Sequence, residues 1–355
     1  MIKVLIVEDS KVIADYIEFI LNSDPEIQVI GKVTNGKRAI SFIQKTKPDI
    51  ITMDIDMPVM DGLVATRIIM ETNATPILIV TASRNARETK VTMEALAAGA
   101  LTVVEKPVGI GNQYEIEKRD KLISMIKIMQ SVKVVSRKKN KEGVPKKTLG
   151  IDKKKLALNN FRNKKIVGIG ISSGGPQVLK KIFSRITGQF PYPIVVVQHI
   201  SEGFLDGLVT WLSRLSMIPV HIAEDMETVL PGHIYFAPDN HQLEINNLRA
   251  RLVKTEKKPG LLCPSVAHLF KNLAKNNGSS TIAMLLTGMG SDGAKELKTL
   301  REAGTITIAQ DKKSSLVHGM PGEAIKLGAA EYIMNTDEIT DLLFDIEKDH
   351  VRNGQ

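Results

Sequence analysis

The sequence predicts an α/β protein of two domains, each built on a parallel sheet. Three observations lead there. The chain has 355 residues, more than a single hydrophobic core usually organises. In both halves, apolar runs of strand length alternate with helical patterns, the order that produces parallel sheets covered by helices. Between the halves lies a stretch with no core pattern, "SRKKNKEGVPKKTLGIDKKK".

That stretch also explains the charge. The formal net charge is +9, which raises the question of a nucleic-acid partner. Residues 131–165 carry 13 Lys/Arg against two acids, more than the whole excess, so the rest of the chain is slightly acidic. The basicity belongs to one segment that reads as a flexible linker. The expected layout is a domain at 1–130, a linker at 131–164 and a second domain at 165–350. The linker supports only weak, salt-sensitive contact and no helix-turn-helix pattern is evident, so no specific nucleic-acid partner is expected. No apolar run approaches the ~20 residues that span a bilayer, and the opening "KVLIVED" has no signal-peptide pattern. A single cysteine, Cys263, leaves no internal disulfide. The expectation is a cytoplasmic protein without membrane insertion.

In the first half, strand-like runs at 3–7, 27–33, 49–53, 76–80 and 101–105 alternate with helical patterns at 11–22, 36–45, 62–71, 87–98 and 115–129. In such sheets a ligand sits beyond the carboxyl ends of the strands. Those ends carry Glu8 and Asp9, then Asp54, Thr81 and Lys106. Clustered carboxylates repel unless a cation neutralises them, and hard oxygen ligands without histidine or cysteine suit Mg²⁺. A carboxylate beside that ion is a candidate phosphoryl acceptor, with Thr81 and Lys106 placed to hold the added oxygens. The competing reading, that each carboxylate only caps a helix, suits one residue better than five residues matched to four strand ends.

In the second half, runs at 165–170, 193–197, 281–286 and 305–309 are each followed by a helical pattern. Shorter runs at 219–222, 233–236, 242–246 and 250–254 suggest an inserted hairpin. "GISSG" at 170–174 fits G-x-S-x-G, which presents a nucleophilic serine when it joins strand to helix. It also fits a plain tight turn. A phosphate loop fits less well, because Gly175 is followed by Pro176 and not by Lys-Ser/Thr, and the dinucleotide spacing is one residue too long. A serine needs a base. Of the seven histidines, His199 ends the run "PIVVVQ" on the same sheet edge as Ser172. His221, His233 and His241 lie in the weaker middle region, His268 in an apolar helix pattern, His318 in a loop and His350 in the tail. The base needs an orienting acid, and "LLTGMGSDGA" brings Asp292 through a glycine-rich loop to a helix start. Asp292 as the N-cap of that helix is the plainer alternative. The N–H of Met289 in the same loop is a candidate oxyanion donor.

Two resemblances draw these motifs together. "VEDS", "DIDMPVMDG", "TAS" and "EKP" resemble the response-regulator receiver domain, a flavodoxin-like doubly wound fold. The resemblance implies phosphorylation at Asp54 rather than Asp56 or Asp61, metal binding by Glu8, Asp9 and Asp54, and switch roles for Thr81 and Lys106. It also suggests a cis bond at Lys106–Pro107. "GISSGG", "VVQHI…GF", "PGHIYFAPD", "PSVAHLF", "LLTGMGSDGA" and "AQD…SLVHGMPGEAI" resemble the CheB methylesterase catalytic domain. That implies Ser172 as nucleophile, Ser173 as a neighbouring site hydroxyl, His199 and Asp292 as base and acid, and Met289 at the oxyanion. The implied reaction is hydrolysis of glutamyl methyl esters, with deamidation of glutamines by the same route, on chemoreceptor cytoplasmic helices. A histidine kinase would be the phosphodonor, Mg²⁺ would serve the receiver alone, and the ester step would need no cofactor. The unphosphorylated receiver would cover the ester site, and phosphorylation would relieve the block. Four positions depart from the family pattern: Ile200-Ser201-Glu202 lacks the usual proline, Gln242 replaces a common His, Ala267 a common Asp, and Lys312 a frequent acid. These departures keep open a homologue that has drifted to another ester or to a purely regulatory role, and the basic segment keeps open a phosphorylation-dependent binding module or transcription regulator whose linker touches nucleic acid.

Overall fold

The computed structural model describes residues 1–81, 86–107, 115–132, 134, 158–255 and 262–353. Most of the linker expected at 131–164 therefore lies outside the described residues. The chain divides into two compact units, Met1–Lys146 and Lys147–Gln355.

The first unit runs β1 (Ile2–Val7), α1 (Lys11–Asn22), β2 (Ile27–Val33), α2 (Gly36–Ile43), β3 (Ile50–Met53), α3 (Gly62–Thr72), β4 (Ile77–Thr81), α4 (Ala86–Ala98), β5 (Thr102–Glu105) and α5 (Glu115–Met129). The five strands are parallel in the order β2-β1-β3-β4-β5. β3 and β4 are buried along their whole length, as expected of parallel strands covered on both faces. Helix α1 buries Ala14, Ile17, Ile20 and Leu21, one stripe at helical spacing. Asn35 caps α2 by accepting from the Arg38 N–H, and Asp61 caps α3 by accepting from the Val64 N–H. Asp61 thus serves as a helix cap. The cis peptide found among the described residues is Cys263–Pro264, not Lys106–Pro107. The Lys106 ammonium reaches its carboxylates without one.

The described part of the second unit opens with a 3-10 turn, Leu158–Phe161. It continues through β6 (Ile166–Ile171), α6 (Gly175–Phe183), β7 (Ile194–Gln198), α7 (Leu205–Ser213), β8 (Val220–Ile222), β9 (Ile234–Phe236), β10 (His241–Asn246) and β11 (Arg249–Lys254). Then follow α8 (Val266–Asn276), β12 (Thr281–Leu285), α9 (Ala294–Glu302), β13 (Ile306–Gln310), α10 (Met320–Lys326), β14 (Tyr332–Met334) and α11 (Thr336–Asn353). Seven strands form a parallel sheet in the order β14-β13-β12-β6-β7-β9-β8. The inserted hairpin is β10–β11, separate from the sheet, while the short runs before it join the sheet as β8 and β9. Phe161 is buried, and Tyr192 donates its hydroxyl hydrogen to the Phe161 carbonyl, so the 3-10 turn is packed against this unit. No helix among the described residues is long and apolar enough to cross a membrane.

The order of the sheet decides where a site forms. From β6 the chain builds outward through β7 to β8 and β9, then returns to add β12, β13 and β14 on the other side. The reversal lies between β6 and β12, where the loops leaving two neighbouring strands part and open a crevice. Two glycines shape the floor. A Cβ on Gly170 of β6 would lie 2.2 Å from Val266 Cγ1, and one on Gly293 would lie 2.3 Å from the same atom. Val266, the first residue of α8, is thus seated between the strand and the loop after β12. Gly170→Ala should destabilise the second unit by about 1–3 kcal/mol through overpacking, measured by urea unfolding, with Val266→Ala in the same chain recovering part of the loss.

Candidate active site

The strand ends of the second unit carry the candidate residues. Ser172 follows β6, and its N–H donates to the Thr287 carbonyl at 2.9 Å. Its own carbonyl accepts from Gly175 N–H at 2.9 Å, so the turn closes on itself. Gly174 takes φ +81° at the N-cap of α6, a conformation suited to glycine. The neighbouring strand end is equally close: a Cβ on Gly288 would lie 2.7 Å from Ser172 Cβ and 2.4 Å from Met320 Sδ. Ser172 and Ser173 are both about nine-tenths buried. Ser173 offers its carbonyl to the Thr287 hydroxyl at 2.9 Å.

His199 follows β7, and its N–H donates to the Ile171 carbonyl at 2.9 Å, which ties it to the strand that carries Ser172. Its Nε2 lies 3.0 Å from Asp292 Oδ2, at ion-pair distance though not aligned for a hydrogen bond. The other histidines are engaged elsewhere: His221 with His233 at 2.9 Å, His241 with the Asp239 carbonyl, His268 with Glu244 at 3.1 Å, and His318 with Ser315. His350 lies on α11.

Asp292 is held in a way the sequence did not reveal. It does not cap α9, whose N-cap is Gly293. It sits instead on the N-terminus of α8. Its Oδ2 accepts from Val266 N–H at 2.7 Å, and its Oδ1 accepts from Ala267 N–H and the Ser265 hydroxyl, each at 3.1 Å. A helix start offers unpaired N–H groups and the positive end of the macrodipole, so a carboxylate is favoured there. Burial acts to raise the Asp292 carboxyl, but the His199 ring and the two α8 N–H groups outweigh it and hold the group below its ordinary 3.8. Ser265 in turn caps α8, and its N–H donates to Gln242 Oε1 at 2.8 Å. Gln242 also donates to the Leu262 carbonyl at 2.8 Å. Two of the departures from the family pattern thus acquire a physical setting. Ala267 meets Asp292 through its backbone, and Gln242 fixes the approach to α8. Of the other two, Ser201 is buried with its hydroxyl unpartnered among the described residues, and Glu202 accepts from Asn240 Nδ2. Nothing in the structure explains Lys312. Met289 is partly exposed, and its N–H donates to no group among the described residues.

The first unit gathers its own cluster. Ligand oxygens of Glu8, Asp9 and Asp54 lie within 4.8 Å of one another. Lys106 Nζ sits 2.8 Å from Glu8 Oε2 and 2.8 Å from Asp54 Oδ2. Ile55 N–H donates to Asp54 Oδ1 at 2.8 Å. Burial pushes the Asp54 and Glu8 carboxyls up despite the Lys106 ammonium, and in Glu8 the nearby Asp54 charge adds to the rise. Burial acts to lower Lys106, but its two carboxylates raise it overall. Thr81 is buried at the end of β4. Three carboxylates against one ammonium leave a surplus of negative charge in a confined site. Hard oxygens with such a surplus fit a divalent cation of the Mg²⁺ type.

Comparison with known proteins agrees with both units. The CheB methylesterase family model matches residues 167–343 and the response regulator receiver domain model matches 4–116. A protein-glutamate methylesterase/protein-glutamine glutaminase of Nitrosospira multiformis is 45% identical over 96% of this chain and 95% of its own length. A protein of the same description from Syntrophus aciditrophicus is 44% identical over 97% of each. The crystal structure of the Thermotoga maritima CheB methylesterase catalytic domain is similar at 37% identity, covering 52% of this chain and 98% of that one with a TM-score of 0.48.

The depressed carboxyl of Asp292 has a signed consequence for stability. Its folded value lies below the unfolded one, so its contribution is present above about pH 4 and is lost as pH falls through the folded value. The stability gap between the native chain and Asp292→Asn should therefore be constant near neutrality and close below pH 4. Urea unfolding across that range measures it, and a gap that widened in acid would contradict the assignment.

Proposed function

The chain belongs to the CheB methylesterase family, and from that premise we propose that it removes methyl esters from glutamyl side chains of chemoreceptor cytoplasmic helices, under control of phosphorylation at Asp54. What supports the reading is that Ser172, His199 and Asp292 lie in the segments that follow three adjacent strands, β6, β7 and β12, with His199 Nε2 3.0 Å from Asp292 Oδ2.

Ser172 Oγ attacks the ester carbonyl while His199 takes its proton. Because Nε2 faces Asp292, Nδ1 is the ring nitrogen left for the serine. Once the 3.0 Å contact aligns into a hydrogen bond, Asp292 fixes the tautomer and stabilises the imidazolium, and it stays ionised because α8 holds it so. The Met289 N–H receives the oxyanion, and Ser173 lines the same turn. His199 returns the proton to the leaving oxygen, methanol departs, and a water activated by His199 releases the free glutamate. A glutamine follows the same route with ammonia leaving, which is the glutaminase reaction. No metal enters these steps.

In the receiver, Glu8, Asp9 and Asp54 would hold Mg²⁺, which when bound offsets negative charge during phosphoryl transfer. An Asp54 oxygen attacks the phosphorus of a kinase phosphohistidine, and the P–N bond breaks. Lys106 then trades its Asp54 contact for the new phosphoryl oxygens, and Thr81 closes on them. By family resemblance this relieves a block of the ester site by the receiver. We take the boundaries as 1–130, 131–164 and 165–350, the whole acting in the cytoplasm.

Methanol release from methylated receptor fragments should be abolished by Ser172→Ala, which removes the nucleophile, with a loss of about 10⁴-fold or more. Release that persists in Ser172→Ala would overturn the assignment. A small-molecule acyl phosphate should raise release in the native chain but not in Asp54→Asn. Chelation of divalent cations with EDTA should remove that stimulation and leave basal release unchanged, because only the receiver calls on a metal.

A further inference from the structure

We propose that Gln198 is a positioning residue that sets the distance between nucleophile and base; this rests on the hydrolase reading above. Gln198 is the last residue of β7, almost fully buried, and opposite Ile171 in the sheet register. Its side-chain Nε2 donates to the Ser172 carbonyl at 2.9 Å and to the His199 carbonyl at 2.8 Å. Both amide hydrogens are therefore spent on the two peptide groups that directly follow the nucleophile and the base. The orientation of the amide is settled by its partners. Two carbonyls accept only from the NH₂ group, and a flipped amide would set oxygen against oxygen.

Two further observations point the same way. Gln198 Oε1 is buried and has no partner among the described residues. An orphaned buried acceptor is unfavourable, so a residue selected for stability alone would not keep it. The second is Gly175, where a Cβ would lie 2.1 Å from Oε1 and 2.9 Å from Cδ of the same side chain. The second glycine of "SSGG" is thus the space into which this amide fits. With the Gly175 N–H on the Ser172 carbonyl, the serine turn is held from both sides, and the His199 peptide is attached to Gln198 Nε2.

Gln198→Met keeps side-chain length and removes both donors and the orphaned acceptor. It should lower kcat for methyl-ester hydrolysis about 10- to 100-fold, leave KM within about twofold, and leave the melting temperature unchanged or raised. The rate at which a fluorophosphonate labels Ser172 should fall in parallel. In that reaction Ser172 Oγ bonds to phosphorus, the P–F bond breaks, fluoride leaves and His199 takes the serine proton. Labelling needs no receptor, so it separates the two readings. A native chain that is not labelled removes the nucleophile, whereas a labelled native chain with equal labelling of Gln198→Met removes only the role of Gln198. A second variant guards against loss of folding. In Gln198→Glu the buried acid is raised, and its neutral form regains one donor, so the ratio of its rate to the native rate should climb as pH falls from 8 to 6. A flat ratio, or a kcat loss in Gln198→Met matched by a lower melting temperature, would overturn the proposal.

Discussion

The second unit depends on one contact, the carboxylate of Asp292 resting on the first turn of α8. Three donors meet it there: the Val266 and Ala267 N–H groups and the Ser265 hydroxyl. The interaction is local, but its prerequisites are spread along the chain. The turn must be seated, which requires Val266 between Gly170 and Gly293. It must be entered at the right angle, which requires Gln242 on the hairpin to bind both Leu262 and Ser265. The hairpin is held in turn by Asn272 of α8, which accepts from the Ile245 N–H at 2.8 Å. A helix start, a hairpin and two strand ends are therefore specified together by the need to fix one acid beside His199.

The first unit solves the opposite electrostatic problem. Asp292 is surrounded by donors and remains charged. Asp54 and Glu8 are buried with one shared ammonium between them, and burial works against their ionisation. Such a cluster is poised to accept positive charge. In the proposed reaction, neutralising it with an ion and then adding a phosphoryl group would change what Lys106 binds, and a change of partner at a buried charge is a physical basis for a switch.

The architecture was readable because parallel sheets write themselves as apolar runs separated by amphipathic helices. Every strand expected in the first unit formed within a residue or two of its run, as did β6, β7, β12 and β13 in the second. The short β14 was missed: three residues, one of them Ile333 half exposed, carry too little pattern. Strand ends also pointed to the residues of interest, since a polar residue that breaks an apolar run on the ligand edge stands out. What holds those residues did not stand out. The α8 N–H groups are backbone and leave no residue type to notice, so Ala267 read as a departure when its side chain is not the part in contact. Gln198 lies inside "VVQHI" and Gln242 replaces a common His, but neither residue type announces what it holds. Their partners are carbonyls and amides that become neighbours only when strands far apart in sequence are placed side by side.

The position of β6 also has a consequence for how the molecule comes into being. Synthesis proceeds from the N-terminus, so β6, β7 and the loops bearing Ser172 and His199 leave the ribosome well before β12 is made. Until then one edge of β6 has no neighbour. Residues 172–280 must therefore emerge while an apolar strand edge stands open, a state prone to wrong pairing. The same delay keeps Asp292 from the nascent chain, so the carboxylate beside His199 can arrive only when the sheet closes around the strand that began it.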